Sequence, residues 1–310
     1  MKTVKTKKKT VLTAMAIGCA AVAAVILATA KTANSNVPIK VGTYNIRLVF
    51  GDKGTANEWD KRKSDLVSLV KKLDLDVFGM QEVCPEQAAY FRNELSDWEF
   101  CGEHREADRV SGEASPVFFR KSRFTALDKG TFWLSETPDV PASKSWGTAC
   151  TRVCSYLILK DKMTNKTFCF ANAHTDHVSA LAREKGMLLI IERMKKFGHG
   201  SPIVFTGDHN CEENEKPALA VSKLLSNALY ASETPPQGPW RTYNGWKWLD
   251  KEISCEEALK LPIPERKWRI DYIYVSKDIR VLDYKTIGEP RPETKLYPSD
   301  HFPVVATIVL

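Results

Sequence analysis

Six short runs in the chain carry side chains that could hold a metal and move protons. Asn45, Glu82, Asp208, Asn210 and Asp300 offer hard oxygen donors. Such donors suit Mg2+ or Mn2+, which keep several waters and bind through one or two carboxylates plus a phosphate. His174 and His301 can exchange protons near neutral pH or turn positive charge toward a phosphate. Asp300 and His301 are adjacent, and Asp271 is available to orient an imidazole, so an Asp–His pair could act on water. The chemistry is metal-assisted hydrolysis of a phosphoester. Singly, each residue has a plainer reading. Asn45 suits a turn, Glu82 a solvated carboxylate, and Asp208 in Gly207-Asp208-His209-Asn210 ordinary turn chemistry. Their joint order along the chain favours the site.

The elements that must position them alternate between strand and helix. Apolar runs predict strands over 40–46, 76–81, 116–120, 153–160, 167–174, 203–206, 270–275 and 304–309. Helical spacing of Leu66, Val67, Leu69, Val70 and Leu73 predicts a helix with Asp60 as its cap. Pro85 at a first turn predicts another over 85–95, and 179–197 reads as an amphipathic helix. Asn45, Glu82, His174, Asp208, Asn210 and Asp271 fall at or near strand ends. In α/β layers, chemistry gathers where rigid strands meet loops.

Length and composition bound the fold class. With 310 residues, 43% hydrophobic and 27% charged, the chain suits a globular fold, not a disordered, collagen-like or polytopic membrane protein. The net charge of +7 includes Lys2, Lys5, Lys7, Lys8 and Lys9, and without them falls to +2, so the basic balance is no nucleic-acid footprint. Those lysines precede the uncharged run 11–30, which ends in Ala28-Thr29-Ala30. Residues 1–30 are therefore expected to be an export signal or an uncleaved membrane anchor, 31–38 a linker and 39–310 one catalytic domain. Export to the periplasm or the cell exterior follows. Seven cysteines lie after residue 30, an odd number without zinc-site spacing; buried thiols, with at most one disulfide, are expected.

The ordered set N-I-R at 45–47, Q-E at 81–82, H-x-D-H at 174–177, G-D-H-N at 207–210, I-D-Y-I at 270–273 and S-D-H at 299–301 resembles the endonuclease/exonuclease/phosphatase superfamily. That superfamily includes DNase I-like nucleases, deadenylases, inositol phosphatases and bacterial sphingomyelinases. The resemblance covers about residues 39–310. T-F-W-L-S-E-T-P at 131–138 is similar to a narrower, often secreted branch related to deadenylase-type members.

The resemblance implies an α/β fold, a four-layer sandwich of two packed mixed β-sheets flanked by helices. It implies that Asn45, Glu82 and Asp300 serve a Mg2+ or Mn2+ site, with Glu82 the principal ligand. It implies that Glu113 pairs with His174, that His174 contacts the scissile phosphate, and that Asp208 and Asn210 orient water and bind the phosphate. Asp271 would orient His301, which meets the phosphate or acts as base. Arg152 and His177 are candidates for gripping the phosphate. The pattern departs at His209, where an aromatic residue is usual, and at Ala173 and Thr175. Four imidazoles, His174, His177, His209 and His301, could then converge and favour Mn2+ or Zn2+.

What the phosphate is attached to stays open at the level of sequence. A phosphodiester, with nucleic acid one candidate, comes first. A phosphomonoester of a sugar, nucleotide or inositol, a sphingomyelinase-like activity, and a non-catalytic binding role are the alternatives. Trp240, Tyr243, Trp246 and Trp248 could stack on bases or sugars, or simply pack a loop onto the sheet. A monomer without an obligate protein partner is expected.

Overall fold

A computed structural model describes residues 36–249, 251–291 and 294–310. The expected amino-terminal signal or anchor lies outside the described residues. Among the described residues, no helix is long and apolar enough to cross a membrane.

Pro38–Leu310 forms one compact unit built on two six-stranded mixed sheets. The first contains β1 (Ile39–Asn45), β2 (Val77–Gln81), β3 (Trp98–Cys101), β4 (Val117–Arg120), β11 (Arg280–Thr286) and β12 (Val304–Val309), in the order β11-β12-β1-β2-β4-β3. The second contains β5 (Phe124–Trp133), β6 (Val153–Asp161), β7 (Thr167–His174), β8 (Ile203–Asp208), β9 (Ser226–Asn227) and β10 (Asp271–Val275), in the order β5-β6-β7-β8-β10-β9.

Side chains alternate across each strand, so the central strands of this sandwich feed two cores. Val41, Val77, Phe119, Phe170, Val204 and Ile273 meet between the sheets. Tyr44, Phe78 and Met80 face outward under α1 (Trp59–Leu73) and α2 (Pro85–Glu94). Ala171, Phe205 and Tyr274 face outward under α3 (Ala180–Phe197), which supplies Met187, Ile190 and Met194. The result is the expected four-layer α/β sandwich. Shorter helices are α4 (Lys216–Ser222), α5 (Ala228–Ala231) and α6 (Cys255–Leu259).

Helix ends differ in detail from the sequence reading. Ser179 caps α3, its hydroxyl accepting from the Ala182 N–H at 3.1 Å. Asp60 does not cap α1; it lies in the first turn, after Glu58. The seven cysteines among the described residues are all unpaired, and six are buried.

A polar seam joins the sheets just beneath the strand ends. The Gln81 amide donates to Thr43 Oγ1 at 2.8 Å and to Asn172 Oδ1 at 2.7 Å. The Asn172 amide donates in turn to the carbonyls of Met80 and Pro116 at 2.8 and 3.0 Å. Gly79 makes room for this crossing, since a Cβ there would fall 2.1 Å from the Asn172 carboxamide. Buried and cross-bonded, these groups fix the register of one sheet against the other.

Candidate active site

Strand register places the polar residues in rows. In the second sheet, His174 pairs with Asp208 across the parallel β7–β8 ladder, and Asp208 pairs with Asp271 across β8–β10. In the first sheet, Asn45 pairs with Gln81. Glu82 would point outward by simple alternation. Its left-handed backbone, φ 62°, lets it face inward after Gln81. Arg47 and Asn210 share that conformation, with φ 60° and 48°. Backbone held in this sparsely populated region clusters at functional sites. Gly207 is demanded by close approach: a Cβ there would fall 2.0 Å from the Ala173 carbonyl oxygen.

These rows open into a cleft of about 690 Å3. On one side, the Asn45 amide nitrogen donates to Glu82 Oε1 at 3.0 Å and to Asp208 Oδ2 at 2.9 Å. The other oxygen of Glu82 accepts from the Leu48 N–H at 2.8 Å. Asn45 is wholly buried and is not among the residues lining the cleft; its oxygen accepts from the Arg47 N–H at 3.0 Å while its amide nitrogen orients two carboxylates. Of the three residues expected at the metal, Glu82 and Asp300 line the cleft. Burial raises the Asp300 pKa, and the charge of Glu82 adds to the rise. Arg47 compensates in part, 3.6 Å from Asp300. Two desolvated carboxylates that repel each other fit a small divalent cation.

On the other side, the His301 Nδ1–H donates to Asp271 Oδ2 at 2.8 Å, and its Nε2 lies 3.7 Å from Asp208 Oδ2. Burial opposes charge on this imidazole, but Asp271 and Asp208 outweigh it and raise its pKa to about 10. Burial, with Asp271 adding, raises Asp208 to about 7. His174 behaves in the opposite way. Burial, Arg152 and His301 push it well below its ordinary value, so it is neutral. Its Nε2 accepts from the Asn210 amide at 2.9 Å, which puts the proton on Nδ1. The arrangement therefore offers an imidazolium, a neutral imidazole and a carboxylate near its midpoint around one spot.

Glu113 corrects an expectation. It makes no hydrogen bond to His174, whose Nδ1 is buried without a partner. Its carboxylate instead lies 3.0 Å from Arg105 and 4.0 Å from Arg152. Two guanidinium charges attract a carboxylate more strongly than a neutral imidazole does. Arg152 lines the cleft, as expected, and donates to His177 Nδ1 at 3.1 Å. Cys150, Asp176 and His177 also approach one another closely. That group does not suit a cation, because four donors occupy the Asp176 oxygens: Thr148 Oγ1 and the N–H groups of Ala149, Val178 and Ser179. Arg105 also stands 3.9 Å from the Cys150 sulfur.

His209 does not join the other imidazoles. It is fully buried on the outer face of β8, stacked 4.6 Å from Phe205 and 5.6 Å from Tyr274. The aromatics of 240–248 divide. Trp240 is buried over Arg269, Trp246 packs on Arg62, and Trp248 stacks on Tyr297. Only Tyr243 of the four lines the cleft, with its ring 5.0 Å from His301 and 6.0 Å from Trp268.

Comparison with known proteins agrees with this geometry. The family model described as Endonuclease/Exonuclease/phosphatase family matches residues 42–301. The chain belongs to that family. It is, accordingly, a phosphoric ester hydrolase. A family protein of Bacteroides thetaiotaomicron, solved by crystallography, is 30% identical with a TM-score of 0.79, over 90% of this chain and 97% of that one. A mannosyl-6-phosphatase of the same organism is 31% identical with a TM-score of 0.77, over 88% of this chain and all of that one. An uncharacterised protein of Acanthamoeba polyphaga mimivirus is 24% identical over 205 residues, and the match spans 30% of its length.

Several residues of this endonuclease/exonuclease/phosphatase site had no assigned role in the sequence reading. Arg47 stood in the N-I-R motif without one. Arg105, Glu212, Glu215 and Trp268 also line the cleft. The Trp268 N–H donates to Glu212 Oε1 at 2.7 Å, and the Glu212 N–H to Glu215 Oε1 at 3.0 Å. The sequence signal was proximity: Glu212 follows Asn210 by two positions, and Trp268 precedes Asp271 by three.

Proposed function

We propose that the chain is a divalent-metal-assisted phosphomonoesterase that releases phosphate from a small polyhydroxylated alcohol of the sugar type. One observation carries this reading: two separately bonded clusters line the cleft. In the first, Arg105 and Arg152 flank Glu113 and Arg152 reaches on to His177, a net cationic group that fits a phosphate dianion. Trp268, Tyr243, Glu212 and Glu215 make up the second. Aromatic faces beside carboxylates suit the C–H faces and hydroxyls of a sugar, and the two acids disfavour the next phosphate of a polymer. That argument moves the monoester ahead of the diester. The likeness to a mannosyl-6-phosphatase supports the same choice.

The roles follow from the electrostatics. Glu82 and Asp300 would hold the cation, with Asn45 orienting Glu82. When bound, the metal would screen phosphate charge and acidify water. His301, kept protonated by Asp271, presents positive charge to the phosphate and cannot serve as base at neutral pH. Asp208, with its pKa near 7, accepts the proton of the attacking water. Neutral His174, held by Asn210, presents its ring to the phosphate. Export of the catalytic unit, read from residues 1–30, belongs to the same proposal, and fractionation of the expressing cell checks it.

A panel of hexose 6-phosphates, nucleotides, bis-p-nitrophenyl phosphate and an oligonucleotide tests the substrate class. Phosphate release from the hexose esters with kcat/KM at least tenfold above the rest is expected. Preference for the diester or the oligonucleotide would overturn the reading.

A further inference from the structure

Arg62 is the feature that the catalytic chemistry leaves unexplained. It lies on α1, is wholly buried, and makes no ion pair with a carboxylate among the described residues. Its charge is met by backbone carbonyls instead. Nη1 donates to Ile46 O and, at 3.3 Å, to Pro298 O. Nη2 donates to Arg47 O at 2.8 Å and reaches Leu48 O at 3.5 Å. The guanidinium also stacks on two indoles, Trp59 at 5.3 Å and Trp246 at 5.7 Å. A buried cation without an acid is costly and persists only where its hydrogen bonds are all well placed.

Nε donates to Asn57 O at 3.0 Å, just ahead of α1, while the carbonyls bonded by Nη1 and Nη2 belong to the two segments that present the hard donors. Segment 46–48 includes the strained Arg47 and holds Glu82 through the Leu48 N–H. Pro298 precedes Asp300 by two residues, and the Ser299 hydroxyl donates to the Asn45 carbonyl at 2.7 Å. One planar fork therefore spans both sides of the donor pair. We infer that Arg62 is a positioning residue that sets the separation of Glu82 and Asp300, and through it the affinity of the site for a divalent cation. The inference rests on the metal reading of the proposed function. Lysine keeps the charge but cannot reproduce the fork, so it should not rescue.

Arg291 provides a matched control. It is buried, and it also donates to carbonyls at the start of α1, Lys61 O at 3.0 Å and Ala56 O at 3.2 Å, but it lies away from the cleft. Mn2+ binding to the full chain would be measured by electron paramagnetic resonance of the free ion. Thermal unfolding in chelator and steady-state kinetics would accompany it. Arg62→Lys is expected to weaken Mn2+ binding at least tenfold and to lower kcat, with KM changed less than twofold. Trp246→Leu keeps Arg62 but loosens its stack, and is expected to weaken Mn2+ binding about threefold. Arg291→Gln is expected to lower thermal stability and leave Mn2+ affinity unchanged. Wild-type affinity in folded Arg62→Lys overturns the inference, as does equal weakening in Arg291→Gln. Should Arg62→Lys not fold, unchanged affinity in Trp246→Leu overturns it. If the wild type binds no Mn2+, the metal reading itself fails, and the positioning role falls with it.

Discussion

His209→Phe should make the protein less sensitive to acid. His209 is fully buried among Phe205, Tyr272 and Tyr274. Burial lowers its pKa from 6.5 to about 3. The unfolded chain therefore binds a proton below pH 6.5 that the folded chain refuses. The contribution to stability is complete above pH 6.5 and is lost progressively as pH falls toward 3. At about 1.4 kcal/mol per pH unit, the loss at pH 5 is about 2 kcal/mol. Phenylalanine keeps the stack and cannot protonate. Urea unfolding of both proteins at pH 7.5 and 5.0 isolates the effect, because the acid response of the carboxylates is common to both and cancels. The stability advantage of His209→Phe should widen by about 2 kcal/mol at pH 5.0. A constant advantage at both values would refute a buried, neutral His209.

Three further substitutions probe other parts of the argument. Asp271→Asn removes the main support for charge on His301, so the alkaline limb of the kcat profile should move to lower pH, with kcat down at least a hundredfold at pH 7.5; an unmoved limb contradicts the imidazolium role. Gly79→Ala forces a methyl group into the Asn172 carboxamide and should destabilise by about 1–3 kcal/mol in urea unfolding, the usual range for overpacking. Trp268→Ala should raise KM for a hexose phosphate several-fold and leave turnover of inorganic pyrophosphate, which has no sugar to stack, unchanged if it is a substrate; equal effects on both would place Trp268 outside the sugar subsite.

Much of the site was legible because its residues end buried strands. An apolar run that closes on His174 or Asp208, or opens on Asp271, has no solvent to satisfy those groups, so they must face one another or a ligand. His209 was misread as a fourth converging imidazole, although strand alternation already opposed it. Phe205, Gly207 and His209 share a parity opposite to that of Asp208, which turns the imidazole toward α3 and away from the cleft. Glu113 was less legible, since its partner Arg105 comes from the loop between β3 and β4 and no spacing announces the contact. Strands β3, β5, β9 and β11 went unread for another reason. All four lie at sheet edges, where charged and exposed positions such as Asp128 and Lys129 dilute the apolar pattern. The role of Arg62 was hidden because carbonyl partners leave no trace in side-chain chemistry.

The central claim is that Glu82 and Asp300 hold a divalent cation needed to hydrolyse a phosphomonoester. Protein freed of metal by chelator, then given Mg2+ or Mn2+ singly, would be assayed for phosphate release from a hexose 6-phosphate beside its Glu82→Gln variant. Activity should be absent without metal, return with either ion, and stay at least a hundredfold lower in Glu82→Gln, with the same unfolding temperature in chelator. Turnover that survives complete metal removal, or full activity of Glu82→Gln at saturating metal, would contradict the claim.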